Sequence, residues 1–401
     1  MGVNVFPAAS GGASYSSQPP ASASSVLLDG QLVTASSIST SVTGTGAPWL
    51  LYANGASGAI FTIAGTPYTV TAGSTVGTSA YTGSQSVSVA VGFASTPAPS
   101  FFASSTITGS NQWNGVTYGN GYFVAVGSSQ SAYSTDGTTW TASTLPGSVN
   151  WYAVTYGNGY FVAVPSSGTT GAYSTNGATW TSSTVSSNNP WRAVTYGNGY
   201  FVAVQANATN VGMYSTDGIT WTASTMPSSA QLFGVTYGNG FYVAVGSGTA
   251  SASSTNGTTW TARTMPSSAT WSGVAYGLVG ATPTYVAVQT SATTAGAYST
   301  NGTTWTASTM PSAQNWPSVT YGNGYFVAVS TTSSTVAAYS TNGTTWTAST
   351  MPSASNWSGV TYGNGKFVAV QGSSTTASAY YAFAGGAPVA YGIYNGATVR
   401  A

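Results

Sequence analysis

Charge is almost absent from this chain. Of its 401 residues four are Lys or Arg and three are Asp or Glu, 2% in all, where an ordinary soluble domain carries about 25%. The four cations, Arg192, Arg263, Lys366 and Arg400, are scattered. They cannot form the clustered positive surface that phosphate backbones require, which excludes nucleic acid as a partner. Histidine, glutamate and cysteine are missing altogether. That removes the usual base of a hydrolase triad, thiolate chemistry, a disulfide framework and the nitrogen and sulfur ligands of zinc. The three carboxylates, Asp29, Asp136 and Asp217, lie far apart in sequence, so neither a metal site nor any other cofactor site is expected. Long apolar runs are lacking as well. Stretches such as "YFVAV" are far too short to cross a bilayer, so no membrane insertion is expected. The opening "MGVNVFPAASGGASYSS" has neither the basic start nor the apolar run of a signal peptide, and no export signal is expected from it. No stretch shows a helical hydrophobic period with caps.

What the chain does contain is repetition. "VTYGNGYFVAV" begins at Val116 and recurs, with small changes, at Val154, Val194, Val235, Val319 and Val360, with a looser copy at Val274. A second motif, Ser-Thr-Asp/Asn-Gly-x-Thr-Trp, ends at Trp140, Trp180, Trp221, Trp260, Trp305 and Trp346. The first motif recurs every 38–45 residues, the spacing of a four-stranded propeller blade. Each repeat reads as four short strands. β-Branched and aromatic runs flank Asn-Gly, which accepts the positive φ angles of a type I′ hairpin turn.

Seven copies of one motif face six of the other, and the spacing resolves the mismatch. Eleven positions separate each motif Trp from the residue that opens the next repeat, as from Trp140 to Trp151. Counting eleven back from Trp113 lands on Phe102, with Ile107 where Leu145 stands one repeat later. Residues 101–108 are therefore expected to supply the outer strand of the last blade, closing the ring with an N-terminal strand. The expected fold is all-β: a seven-bladed propeller of four-stranded blades over 101–383, plus a small N-terminal β domain. Residues 1–25, rich in Ser, Ala and Pro, read as an arm. Residues 26–100 read as a β-rich attachment domain and linker, with a hairpin about Asp29-Gly30. The tail 384–401 reads as a further hairpin.

The "STDGTTW" boxes and their propeller spacing resemble the BNR/Asp-box repeats of sialidases and related secreted propellers, over about 101–383. The box departs from that pattern because Asp136 and Gly137 are adjacent where the family has a residue between them. The Asp position holds Asp136 and Asp217 but Asn176, Asn256, Asn301 and Asn342 in the other copies. Both residues form turns and only one carries charge, so geometry is wanted rather than a carboxylate. The turn-forming set then comprises these six residues with Asn120, Asn158, Asn198, Asn239, Asn323 and Asn364. Sialidase activity implies, in that family, an arginine cluster, a Tyr nucleophile assisted by Glu, and an Asp acid/base. The propeller offers only Arg192 and Arg263 in separate blades, and no Glu. Ordinary glycosidases need two carboxyl groups about one bond. The expectation is a protein that is not an enzyme.

Binding residues are better sought where the repeats disagree. Both Gly-containing turns fall on one face of the ring and are nearly uniform. The connections between second and third strands, and between blades, fall on the other face and vary. The candidate ligand-binding residues there are Asn150, Asn188, Asn189, Arg192, Gln205, Asn207, Gln231, Gln289, Gln314, Asn315, Asn356 and Gln371. The neutral amides among them suit hydrogen bonds to a glycan. The repeats also resemble propellers of phage tail or fibre proteins and of bacterial surface proteins. That resemblance implies a virion component (tail fibre, head fibre or decoration protein) at the virion surface. Residues 1–100 would attach to other virion proteins, in a homo-oligomer or larger assembly, and the propeller would be displayed toward a host-surface glycan. The alternatives are a secreted bacterial adhesin or lectin, and a ligand-free extracellular lattice or filament subunit.

Overall fold

The computed structural model of the protein describes residues 98–382, apart from positions 129, 148, 333 and 374, and beyond that span the backbone of eight strands. The chain divides into two compact units, Met1–Pro97 with Ala384–Ala401, and Ala98–Phe383. Among the described residues every regular element is a strand.

The eight strands of the first unit form one sheet. Its order is Gln31–Thr34, Ser25–Leu28, Val3–Phe6, Ala390–Asn395, Ile38–Asn54, Thr75–Ala90, Ala59–Ile63 and Thr66–Val70. Ser25–Leu28 and Gln31–Thr34 pair as an antiparallel hairpin about positions 29 and 30, which themselves lie outside the described residues. Two expectations are corrected here. Val3–Phe6, within the supposed arm, is a strand that pairs in parallel with Ala390–Asn395. Ala390–Asn395, read as part of a separate hairpin, is a single strand seated between Val3–Phe6 and the antiparallel Ile38–Asn54. Pairing between the two ends of a chain leaves no local pattern in the sequence, so this pairing was not legible there.

The second unit is the propeller. Its second repeat shows how the sequence builds one blade. Trp151–Gly157, Tyr160–Pro165, Thr170–Ser174 and Thr181–Thr184 pair antiparallel in chain order. Asn158 at φ 46° and Gly159 at φ 82° make the first turn, the left-handed pair that a type I′ hairpin demands. The second strand is apolar at every position because both of its faces are buried. Phe161 and Ala163 join Trp151 and Leu145 in one cluster, while Val162 and Val164 join Trp191 and Phe201 in the next. The core therefore lies between blades, and alternate side chains of one strand serve two interfaces.

Around the axis the inner strands touch through a repeated contact. A Cβ placed on the Gly of each Tyr-Gly pair would stand 2.0–2.3 Å from the corresponding Tyr ring of the following repeat. The series runs Gly119 to Tyr156, Gly157 to Tyr196, onward to Gly322 and Tyr362, and closes from Gly363 to Tyr118. Glycine is needed here because the neighbouring ring occupies the space of a side chain.

Closure follows the spacing argument. Ala103–Asn111 pairs antiparallel with Thr375–Ala382 as the fourth strand of the last sheet. Phe102 is fully buried with Met351, Trp357 and Phe367, and Ile107 with Trp113 and Trp140. The chain already docks before this strand: the Thr350 amide donates to Ser100 O at 3.1 Å, and Ser349 Oγ donates to Pro99 O. Residues 98–100, read as linker, thus belong to the propeller unit, whereas 95–97 lie outside the described residues.

The number of blades is corrected. The repeats fold into six sheets rather than seven, five of four strands and one of six. In the fourth repeat the connection "GSGT" is itself paired, Ser247 with Thr270 and Gly248 with Ala269. Phe241–Ser254 therefore runs through one corner as a single strand, and Thr261–Val279 runs on into the fifth repeat. The fourth and fifth repeats merge in one sheet.

Candidate functional site: the channel mouth

Antiparallel order places the four connections of a repeat alternately on two faces. On the first face lie the Asn-Gly turns and the boxes. Asn120, Asn158, Asn198, Asn239, Asn323 and Asn364 all take φ of 44–47°. In the first box the Ser134 hydroxyl donates to Asp136 Oδ1 at 2.9 Å and accepts from the Gly137 amide at 2.8 Å. The amides of Thr138 and Thr139 donate to the same Oδ1, each at 2.7 Å. Asp217 repeats the pattern, and Asn176, Asn256, Asn301 and Asn342 supply the same oxygen to the same two amides. One side-chain oxygen suffices, so Asp and Asn interchange. Burial pushes the Asp136 carboxyl up, but the amides of Thr139 and Thr138 and the Ser134 hydroxyl outweigh it and hold the group well below the usual carboxylate range. Asp217 is lowered by the same balance.

The box also clasps its neighbour. Each box glycine, at φ 70–74°, lies against a valine of the preceding repeat, where a Cβ would approach a methyl to 2.3–2.9 Å. Gly177 meets Val124 in this way, and Gly137 meets Val368 across the closure. Lys366, in the last repeat, donates from Nζ to the Asp136 carbonyl at 2.7 Å and lies 5.6 Å from the Tyr380 ring centre. The three charges described on this face, Asp136, Asp217 and Lys366, are thus occupied in holding turns.

The opposite face carries the variable loops. Their backbones tie each second-to-third connection to the residue before the same repeat's inner strand. Examples are Ser166 N to Asn150 O at 2.7 Å, Ser247 N to Gln231 O at 2.9 Å and Gly372 N to Asn356 O at 2.8 Å. The candidate residues all lie on this face, but they do not form one site. Gln205, Gln289 and Gln371 are buried, with 2%, 0% and 1% exposure. Gln205 holds Thr209 and the Asn207 amide, and Gln289 holds Thr293 and the Ser291 amide. Asn188 accepts from the Gly168 amide at 2.6 Å, Asn189 donates to Ser187 Oγ, Asn356 donates to Ser373 Oγ, and Gln314 accepts from Thr332. Asn315 is half-buried, and its backbone carbonyl accepts from Thr331. Asn150, Asn207 and Gln231 expose their side chains. Most of these amides shape loops, and three are turned to solvent.

Arg192 belongs to a different arrangement. The inner strands enclose a central channel whose mouth, on the variable face, is a cavity of about 180 Å³ lined by all seven repeats. The residue after each strand-opening position projects there: Asn114, Tyr152, Arg192, Phe233, Ser272, Pro317 and Ser358. The small polar members stitch neighbouring inner strands together. Asn114 Nδ2 donates to Trp151 O at 2.9 Å, Ser272 Oγ donates to Trp316 O at 3.0 Å, and Ser358 Oγ donates to Trp113 O. Ser318 Oγ accepts from the Val360 amide at 3.2 Å. Three consecutive repeats have no such stitch among the described residues, and those three carry the large side chains. Arg192 sets its guanidinium 4.4 Å from the Tyr152 ring centre, and Phe233 stands on its other side in the next repeat. Burial pulls the Arg192 guanidinium below its ordinary value, and Tyr152 offsets part of this. Among the described residues no acid faces Arg192, because Asp136 and Asp217 sit in boxes on the other face. Sequence reading singled out Arg192 but sought its neighbours in the loops. The signal for Tyr152 and Phe233 was the one inner-strand position at which the seven repeats all but fail to agree.

No family model and no curated protein matches the chain. Solved structures share the fold. Virginiamycin B lyase from Staphylococcus aureus superposes with a TM-score of 0.62 at 12% identity, over 70% of this chain and 98% of its own. YCF48 bound to D1 peptide gives 0.55 at 13%, over 70% and 95%. The Pan2 WD40 domain of Neurospora crassa gives 0.52 at 7%, over 69% and 90%. At these identities the likeness establishes the β-propeller fold, which lyases and proteins of quite different roles share. The expectation of a protein that is not an enzyme is corrected on this finding, since the fold serves an enzyme in the lyase. Any catalysis by this chain would draw on groups other than histidine, of which it has none.

Proposed function

We propose that the propeller is a recognition module, displaying its variable face and channel mouth to a host-surface glycan from a phage virion, with the first unit joined to the particle. The observation that carries this reading is the segregation of variability. Six Asn-Gly turns and six boxes on one face are nearly identical and are consumed in holding the ring. The opposite face changes from repeat to repeat, exposes Asn150, Asn207 and Gln231, and surrounds a cavity rimmed by Tyr152, Arg192 and Phe233. Chain connectivity agrees. The chain enters and leaves the propeller beside Ala103 and Ala382, the strand ends at which six other repeats carry a box. No connection leaves from the variable face. A near-absence of charge suits a subunit whose neighbours in an assembly cover its edges, because isolated proteins use charge to block edge pairing.

A glycan array with the full chain tests the reading. Binding is expected to fall in the triple variant N150A/N207A/Q231A and to persist in N120G on the uniform face, where glycine tolerates the observed φ. An array on which the full chain binds nothing overturns recognition. Immunogold labelling of virions with antibody to the propeller tests the setting, and unlabelled particles refute it.

A further inference from the structure

We infer that the channel mouth takes a singly charged anionic sugar, a uronate or a sulfate ester, with its charge on Arg192; this rests on the recognition reading above. The half-buried guanidinium of Arg192 incurs a partial desolvation cost that an anion meeting it offsets. Arg192 makes no hydrogen bond or ion pair among the described residues, and its one close partner is the face of Tyr152. Its five N–H donors in a planar fork match the paired oxygens of a carboxylate or a sulfate ester. The charge count selects within the anions. Among the described residues Arg192 is the one charged residue lining the cavity. A single negative charge is balanced there, whereas a phosphate monoester, at about −1.5 to −2 near neutral pH, leaves an excess in a recess with no second cation.

The rest of the rim suits a sugar. Tyr152 and Phe233 flank the arginine from adjacent repeats and offer apolar ring faces beside the polar contact. Across the cavity the hydroxyls of Ser272 and Ser358 are engaged with backbone carbonyls, and each oxygen retains capacity to accept from a sugar hydroxyl. The absence of inter-strand stitches in the same three repeats completes the argument. Where Asn or Ser would tie neighbouring strands, the chain instead carries Tyr, Arg and Phe.

The test measures binding of methyl glucoside, methyl glucuronide, glucose 6-sulfate and glucose 6-phosphate to the full chain by calorimetry or ligand-observed NMR. The glucuronide or the sulfate is expected to bind roughly 10- to 100-fold more tightly than the neutral glucoside, the range for a hydrogen-bonded charge. R192Q should abolish that preference without moving the melting temperature, and R192K should restore only part of it because the fork is lost. Equal binding of neutral and charged sugars, an unaffected R192Q, or the phosphate as the tightest ligand each overturns the assignment. If none of these sugars binds while the array still shows binding that the loop variant weakens, the anion assignment falls and recognition stands. If the array is blank as well, both fall.

Discussion

Replacing Phe102 with alanine tests whether the propeller is closed by its N-terminal strand. Phe102 is fully buried and packs with Met351, Trp357 and Phe367 in the interface before the last sheet, and its amide donates to Thr350 O at 2.8 Å. It stands where six other repeats place a box Trp, so its loss removes one of the anchors of an inter-blade core. Deleting a buried phenylalanine costs about 3–5 kcal/mol. For a unit spanning Ala98–Phe383 that amounts to a fall in melting temperature of roughly 5–8 °C. The control is its neighbour Phe101, 60% exposed, whose change to alanine is expected to stay within about 0.5 kcal/mol. Tryptophan fluorescence during thermal or urea unfolding reads the propeller selectively, because of thirteen tryptophans only Trp49 lies outside 98–382. If F102A unfolds with F101A and the unaltered chain, residues 103–111 do not close the ring, and the reasoning from the eleven-residue spacing fails.

Two further outcomes follow from the boxes. Asp136 and Asp217 are lowered in the folded state, so they stabilise the fold above the unfolded carboxyl value of about 4 and lose that contribution as pH falls through their folded values. The chain has no histidine or glutamate to confuse an acid titration. D136N/D217N should lose at most about 1 kcal/mol per site at neutral pH and flatten the decline of melting temperature from pH 6 to pH 2; parallel declines in variant and parent would refute the role given to those oxygens. Among the box tryptophans, Trp260 and Trp221 are 7% and 8% exposed, yet Trp260 Nε1 donates to Gly257 O at 3.1 Å and Trp221 Nε1 has no partner among the described residues. W260F should therefore cost about 1 kcal/mol more than W221F in urea unfolding followed by circular dichroism, and equal losses would count against the hydrogen bond.

Much of this architecture was legible because its causes are local or periodic. Asn-Gly at 120, 158, 198, 239, 323 and 364 prescribes one turn whatever surrounds it, and the observed φ angles share a range of three degrees. The box reads as a turn because Asn replaces Asp in four of six copies. The structure adds the reason: only Oδ1 is used, and the adjacent glycine must lie against a neighbour's valine. The candidate amides were less legible. Gln205 and Gln289 occupy variable positions, as binding residues do, yet they are buried and hold their own loops. Variability marks where geometry differs, and a buried amide that satisfies a differing loop varies just as an exposed one does.

By itself the sequence determined the propeller's strands and turns, the number of repeats and the partner of the closing strand. Each of these is written in residue chemistry or in spacing along the chain. Tertiary structure alone decided that the fourth and fifth repeats share a sheet, that both chain ends complete another, and that Tyr152, Arg192 and Phe233 meet at one mouth. Those three residues stand about forty positions apart, and no local preference of any of them refers to the others. Ring formation brings them together, and it leaves their side chains in the channel because the opposite side of each inner strand is already filled by its neighbour.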